Sequence, residues 1–195
     1  MFGMVKELLH ITNENEFNKL FSRIEKYENI SDNMELEIAN YLNKVSEGRL
    51  SAESKYEIRG MLREVTEIES IGDSCYNLAR TINRKRSGGN DFTEKQYEHI
   101  HQMMQLTSDA LAHMIAVVED EHHVVDVNKS FNIENEINNY RAQLKNQNVV
   151  DVNNKEYDYQ MGVHYMDLIG ECEKLGDYVV NVVEARTNVK EKKVG

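Results

Sequence analysis

The chain has 195 residues, 29% of them charged, with no Pro, no Trp and only 10 Gly. Its net charge of -11 argues against a general nucleic-acid or anionic-membrane binder. No run of 18 apolar residues occurs and no signal peptide is visible, so this chain does not span a membrane by itself. Apolar residues recur at helical spacing nearly throughout, which predicts an all-α protein with a substantial core.

In chain order, residues 1–11 read as a short helix with Met1, Met4, Val5, Leu8 and Leu9 on one side. Thr12 to Glu16 supplies cap residues for a helix from about Glu14 to Val45, with Phe17, Leu20, Phe21, Ile24, Tyr27, Met34, Ile38, Tyr41 and Leu42 at helical spacing. Ser46 to Gly48 stops it. Ser51 caps a long helix to about Lys85. Residues 87–92, containing Ser87-Gly-Gly-Asn90, form the one clear linker, dividing a first unit 1–86 from a second unit 93–195.

The second unit repeats the pattern. Thr93 and Glu94 start a helix to about Asp120, interrupted by Glu119-Asp-Glu-His-His123. A middle helix is expected from about Asp126 to Gln147, a loop from Asn148 to Asn154, and a last helix to about Val189. The first helix of the second unit is far longer than residues 1–11. On that pattern the chain begins part-way through a helix and would be a piece of a longer polypeptide, the alternative being a short first helix.

Both units carry one motif, E-x-E-x-[IL]-G-D-x-x-x-N, as Glu67–Asn77 and again as Glu171–Asn181. This spacing implies an internal duplication. Glu69, Asp73 and Asn77 lie along one helical face, as do Glu173, Asp177 and Asn181. Beside each line runs an apolar or small seam: Val65, Ile68, Gly72, Cys75 and Ala79, then Ile169, Cys172, Gly176, Val179 and Val183. A helix-interior glycine costs about 1 kcal/mol relative to alanine, so Gly72 and Gly176 suggest close approach of a second helix. The two cysteines read as reduced core residues. The middle helices share a further segment, Glu35-x-Glu-Ile-x-Asn-Tyr41 against Glu134-x-Glu-Ile-x-Asn-Tyr140.

At these residues the sequence resembles the PhoU family. The resemblance implies two tandem three-helix bundles, each with acidic pairs on its helices. It is specific mainly at Glu69–Asn77 and Glu173–Asn181 and weaker at Glu28-x-x-x-Asp32. The family occurs as free phosphate-signalling regulators and as cytoplasmic tails of bacterial sodium/phosphate cotransporters. The short first helix and the Glu-Ile-x-Asn-Tyr segments resemble the tails more. That likeness implies a non-catalytic regulatory domain at the cytoplasmic face of the inner membrane. Its partner would be the membrane portion of the same polypeptide or an uptake transporter, and a homodimer is a further partner call.

Carboxylates at i, i+4 on adjacent helices suit an oxygen-preferring cation, with Mg, Mn, Fe or Zn as candidates. Glu28, Asp32, Glu69 and Asp73 are the candidate ligands of the first unit, Glu173 and Asp177 those of the second. By the shared middle-helix segment, Glu28 and Asp32 correspond to Val127 and Phe131, which predicts weaker binding in the second unit. The plainer reading is a solvated face. Asn77 and Asn181 read as hydrogen-bonding residues that fix helix register, and Gly72 and Gly176 as packing residues. Glu98-His-Ile-His101 is a single Glu-x-x-His with no copy in the first unit, so a di-iron oxidase is disfavoured. No nucleophile set or phosphate loop appears. The basic helix ends Arg84-Lys-Arg86 and Lys190-x-Lys-Lys193 complement the helix dipole, lipid headgroups being the alternative.

Overall fold

The computed structural model describes residues 1–89, 91–120 and 125–191, with side chains as far as residue 187. Among these residues there are six helices and no strand: α1 (Phe2–Leu8), α2 (Glu14–Ser46), α3 (Ala52–Ser87), α4 (Glu94–Glu119), α5 (Asn128–Asn153) and α6 (Tyr159–Glu191). They form two repeated three-helix bundles, α1–α3 and α4–α6, joined by their longest helices.

The starts are set locally. Asn13 accepts from the backbone N–H of Asn15 and Glu16 to open α2. Ser51 accepts from Ser54 N to open α3, and Thr93 with Gln96 closes a full capping box on α4. The basic end of α3 is consumed inside the molecule. Arg86 donates to the carbonyls of Ile11 and Thr12 at 2.7 and 2.6 Å, and Lys85 pairs with Asp91. The other basic end, at Lys192 and Lys193, and the histidines His122 and His123 lie outside the described residues.

The largest helix–helix interface is α3 against α6. Ion pairs fix its direction: Arg63 meets Glu184 and Arg84 meets Asp167, so rising numbers on α3 face falling numbers on α6. One continuous core runs through both bundles and includes Phe17, Ile24, Leu78, Met103, Ile137, Leu168 and Val182. Cys75 and Cys172 are free and buried within it, and burial pushes both thiols up to about 12.

Two expectations need correction. The predicted loop at 148–154 is helical as far as Asn153. Asp151, buried near the end of α5, accepts from Gln147 and pairs with Lys95, which holds the final turns in place. The start of α6 then packs on those turns at Gly162, where an added Cβ would meet Val152 at 2.9 Å and Asn148 at 3.0 Å. Asp158 caps α6 by accepting from Met161 N.

The second correction concerns the seams. Ile169, Cys172, Gly176, Val179 and Val183 are all buried, but Ile68 is 41% exposed and Val65 only half-buried. The reason is length: α1 has 7 residues where α4 has 26. The shorter helix leaves Ile68 open, together with Met34 and Tyr41 of α2.

Candidate carboxylate site

The α2–α3 hairpin brings the four expected acids of the first bundle together. Glu28 and Asp32 rise along α2 beside the core residue Ile24; Glu69 and Asp73 rise along α3 on either side of Gly72. The helices approach closely here, since an added Cβ on Gly72 would lie 3.2 Å from Ser31 Oγ.

The electrostatics follow from that closeness. Glu28 is held above the usual carboxylate range first by burial, then by the charges of Asp32, Asp73 and Glu25. Glu69 is raised by burial, then by Asp32, Asp73 and Glu35, against a weak hydrogen bond from Ser70. The charges acting on both groups are carboxylates. Around them, Tyr76 OH donates to Glu25 at 2.9 Å, Thr66 Oγ1 donates to Glu35 at 3.0 Å, and Asn77 Nδ2 lies 3.3 Å from Asp73 Oδ2.

Glu25 and Glu35 thus belong to the seam although the sequence reading omitted them. The signal was present: positions 25, 28, 32 and 35 keep helical three- and four-residue steps on one side of α2.

The second bundle is built differently. Glu173 and Asp177 are again raised by burial, but Arg141 of α5 opposes the shift in both. Arg141 Nε stands 3.6 Å from Glu173 Oε2, an ion pair too long for a hydrogen bond. Asp177 and Glu134 add their charges at Glu173, and Asn138 donates to Glu134.

The helix register corrects the expected correspondence. An added Cβ on Gly72 would meet Ser31, whereas one on Gly176 would meet Ile137 at 3.2 Å. The shared Glu-Ile-x-Asn-Tyr segments would have matched Ser31 to Ser130, two turns away. Glu28 and Asp32 therefore correspond in space to Glu134 and Asn138, not to Val127 and Phe131, and Glu35 corresponds to Arg141. The local likeness of the middle helices is a shifted one, because heptad spacing repeats the same face every two turns.

The remaining motif residues divide. Asn181 Nδ2 donates to Glu67 Oε2 at 3.0 Å, across from α6 to α3. Asn77 turns instead to Asp73 in its own helix. The histidines of the Glu98–His101 segment are engaged by aromatic neighbours: His101 stacks on His10 at 4.8 Å, and His99 Nδ1 shares a 2.9 Å hydrogen bond with Tyr165 OH.

By chemistry, four carboxylates at one helix crossing suit a hard divalent cation. Among the described residues no three Asp, Glu, His or Cys side chains are already drawn close enough to hold one. Glu28, Asp32, Glu69 and Asp73 are the residues that would hold one; Glu173 and Asp177, already facing Arg141, fit it poorly. Among the described residues no helix is long and apolar enough to cross a membrane.

The comparison with curated proteins returned no match. Among solved structures, the chain is similar to the crystal structure of the phosphate transport system regulatory protein PhoU from Streptococcus pneumoniae. That likeness covers 98% of this chain and 91% of that one at 16% identity, with a TM-score of 0.74. The PhoU domain family model matches residues 1–82 and 100–185, one segment in each bundle. With the repeated acidic motif, the duplicated bundles and that match over most of its length, the chain belongs to the PhoU domain family.

Proposed function

We propose that this chain is a non-catalytic regulatory domain of phosphate transport that senses a divalent cation in the α2–α3 carboxylate seam. The observation that carries the reading is the crowding of Glu28, Asp32, Glu69 and Asp73 where α2 and α3 cross: burial, and then the charges of Asp32 and Asp73, raise the proton affinity of Glu28 and Glu69. Such a cluster is relieved either by protons or by a cation, and at neutral pH a cation is the stronger remedy. A bound ion would supply positive charge between the helices; the chain's part is to present four oxygens from two rigid elements.

The partner in this reading is a membrane phosphate transporter. Its form is the cytoplasmic tail of a sodium-dependent phosphate cotransporter, at the cytoplasmic face of the inner membrane, with residues 1–86 and 93–195 as its two units. The Glu-Ile-x-Asn-Tyr segments on α2 and α5, which resemble those of the tails, support the tail form. A free-standing regulator of phosphate uptake is the second reading, supported by the regulatory protein whose fold this chain shares.

Calorimetric titration with Mn²⁺ tests the cation, and phosphate uptake in cells carrying Asp73→Asn tests the coupling. Absence of Mn²⁺ binding, or uptake indistinguishable from the parent, would refute the proposal. Sequencing the coding region upstream of Met1 separates the two forms: an open frame encoding several apolar spans of about 20 residues supports the tail.

A further inference from the structure

The first Glu and the Asn of the repeated motif meet across the α3–α6 interface. Asn181 on α6 donates to Glu67 on α3 at 3.0 Å. Because the two helices are antiparallel copies of one another, the duplication calls for a mirror pair, Asn77 on α3 with Glu171 on α6. That pair is not made. Asn77 Nδ2 points to Asp73 Oδ2 at 3.3 Å, long for a charge-assisted bond. Glu171 is held through Oε1 by Lys174 at 2.7 Å, while its Oε2 is buried with no partner. A buried acceptor without a donor is costly, whereas a neighbour with a movable donor could satisfy it. Asn77 and Glu171 line the same cavity of about 340 Å³, beside Arg80, Thr81, Arg84 and Asp167. Arg84 is already engaged by Thr81 and Asp167, and Arg80 lies over the Tyr76 ring.

We propose that Asn77 is a two-position latch: its amide sits on Asp73 when the acidic seam is empty and crosses to Glu171 when Asp73 is engaged. The inference rests on the cation reading of the seam. Asp73, once it shares a cation with Glu28, Asp32 and Glu69, turns toward α2 and no longer holds the Asn77 amide. The freed amide reaches Glu171 Oε2 and completes the pair that Asn181 and Glu67 already form. Lys174 keeps Oε1, so nothing has to break on α6. Occupancy of the α2–α3 seam thereby tightens the contact between bundles, a coupling between two sites through one side chain. The second bundle has no such device, because Asn181 is already committed to Glu67.

Double-mutant cycles on the full chain test this, with Asn77→Ala and Glu171→Ala combined and unfolding followed in urea. Without divalent cation, the two substitutions should act independently in the parent background. In the Asp73→Ala background, where the competing acceptor is gone, they should be coupled at least fivefold in the unfolding equilibrium constant. Adding Mg²⁺ to the parent background should bring out the same coupling. The Asn181→Ala and Glu67→Ala cycle should show coupling in every background. The Asn77 side-chain amide NMR signal, assigned by its loss in Asn77→Ala, should shift in Asp73→Ala and shift again, to the position of an amide with neither acceptor, in Asp73→Ala with Glu171→Ala. Independence in the Asp73→Ala background, or equal coupling in both backgrounds without cation, would overturn the latch. If Mg²⁺ does not bind the parent, the cation reading falls, and the Asp73→Ala comparison still decides the latch.

Discussion

Arg141 of α5 stands beside Glu173 of α6 in the place where the first bundle sets Glu35 beside Glu69. One bundle therefore adds an acid to its seam at the point where the other adds a base. The seam in the second bundle carries a counterion on its own middle helix; in the first, the charges acting on Glu28 and Glu69 are all acidic, and Lys174 of α6 reaches Asp73 from the other bundle. The duplicated motif is alike in sequence, and its electrostatic surroundings on the middle helices have diverged.

Arg141→Gln should expose that difference. Without the guanidinium, Glu173 faces Asp177 and Glu134 with only the weaker pull of Lys174 against them. Stability at neutral pH should fall by about 0.5–1 kcal/mol, the scale of a partly exposed ion pair. Calorimetry on the variant should also show a second class of Mn²⁺ site. Unchanged urea midpoints together with unchanged Mn²⁺ stoichiometry would show that Arg141 does not neutralise this site.

Cation binding should be asymmetric in the parent chain. Asp73→Asn removes a ligand from the four-carboxylate cluster and should weaken Mn²⁺ binding by roughly tenfold or more. Asp177→Asn should leave the affinity nearly unchanged, since Arg141 already faces that carboxylate. Equal losses in the two titrations would contradict the asymmetry.

The pH dependence follows from the direction of the shifts. Glu28 and Glu69 bind protons more tightly in the folded chain than when unfolded. The folded state is thus favoured by their protonation, and this contribution is fully present below the ordinary carboxylate pKa of about 4.3. It is lost as pH rises through the raised folded values. In the absence of divalent cation, Glu69→Gln should therefore be more stable than the parent at pH 7, by about 0.5 kcal/mol, with the gap closing toward pH 4. Urea titrations at the two pH values check it; a variant less stable at pH 7 would show that Glu69 is stabilised as an anion.

The two motif glycines should respond differently to the same change. At Gly72 the nearest atom is the hydroxyl of half-buried Ser31, which can rotate, so Gly72→Ala should be neutral or stabilising by up to about 1 kcal/mol through helix propensity. At Gly176 the new methyl meets Ile137, which is fully buried and cannot retreat, so Gly176→Ala should destabilise by about 1 kcal/mol. Leucine at either position should cost roughly 1–3 kcal/mol by overpacking. Equal effects of alanine in a denaturation series would mean that Ile137 gives way as readily as Ser31.

Much was legible in the sequence because it depends on local rules. Helical spacing marked the long helices. Asn13, Ser51 and Thr93 marked starts by the oxygen each offers to free backbone N–H groups. The motif at Glu67–Asn77 and Glu171–Asn181 announced the duplication. Glu28 with Asp32, and Glu69 with Asp73, could be named as pairs because i, i+4 acids share a helix face, and the family resemblance joined the two pairs. Which residues of one helix stand opposite which of another is not a local property. Heptad spacing makes a shift of two turns nearly invisible along α5, so the sequence matches Glu28 and Asp32 to Val127 and Phe131, whereas the packing of Gly176 on Ile137 sets Glu134 and Asn138 there. The exposure of Ile68 depends on how far α1 reaches, which a pattern on α3 does not contain. The sequence by itself determined the helices, their repeat and the acids on them. Only the tertiary structure decided register, and register sets which charges meet, placing Glu35 beside the seam of one bundle and Arg141 beside that of the other.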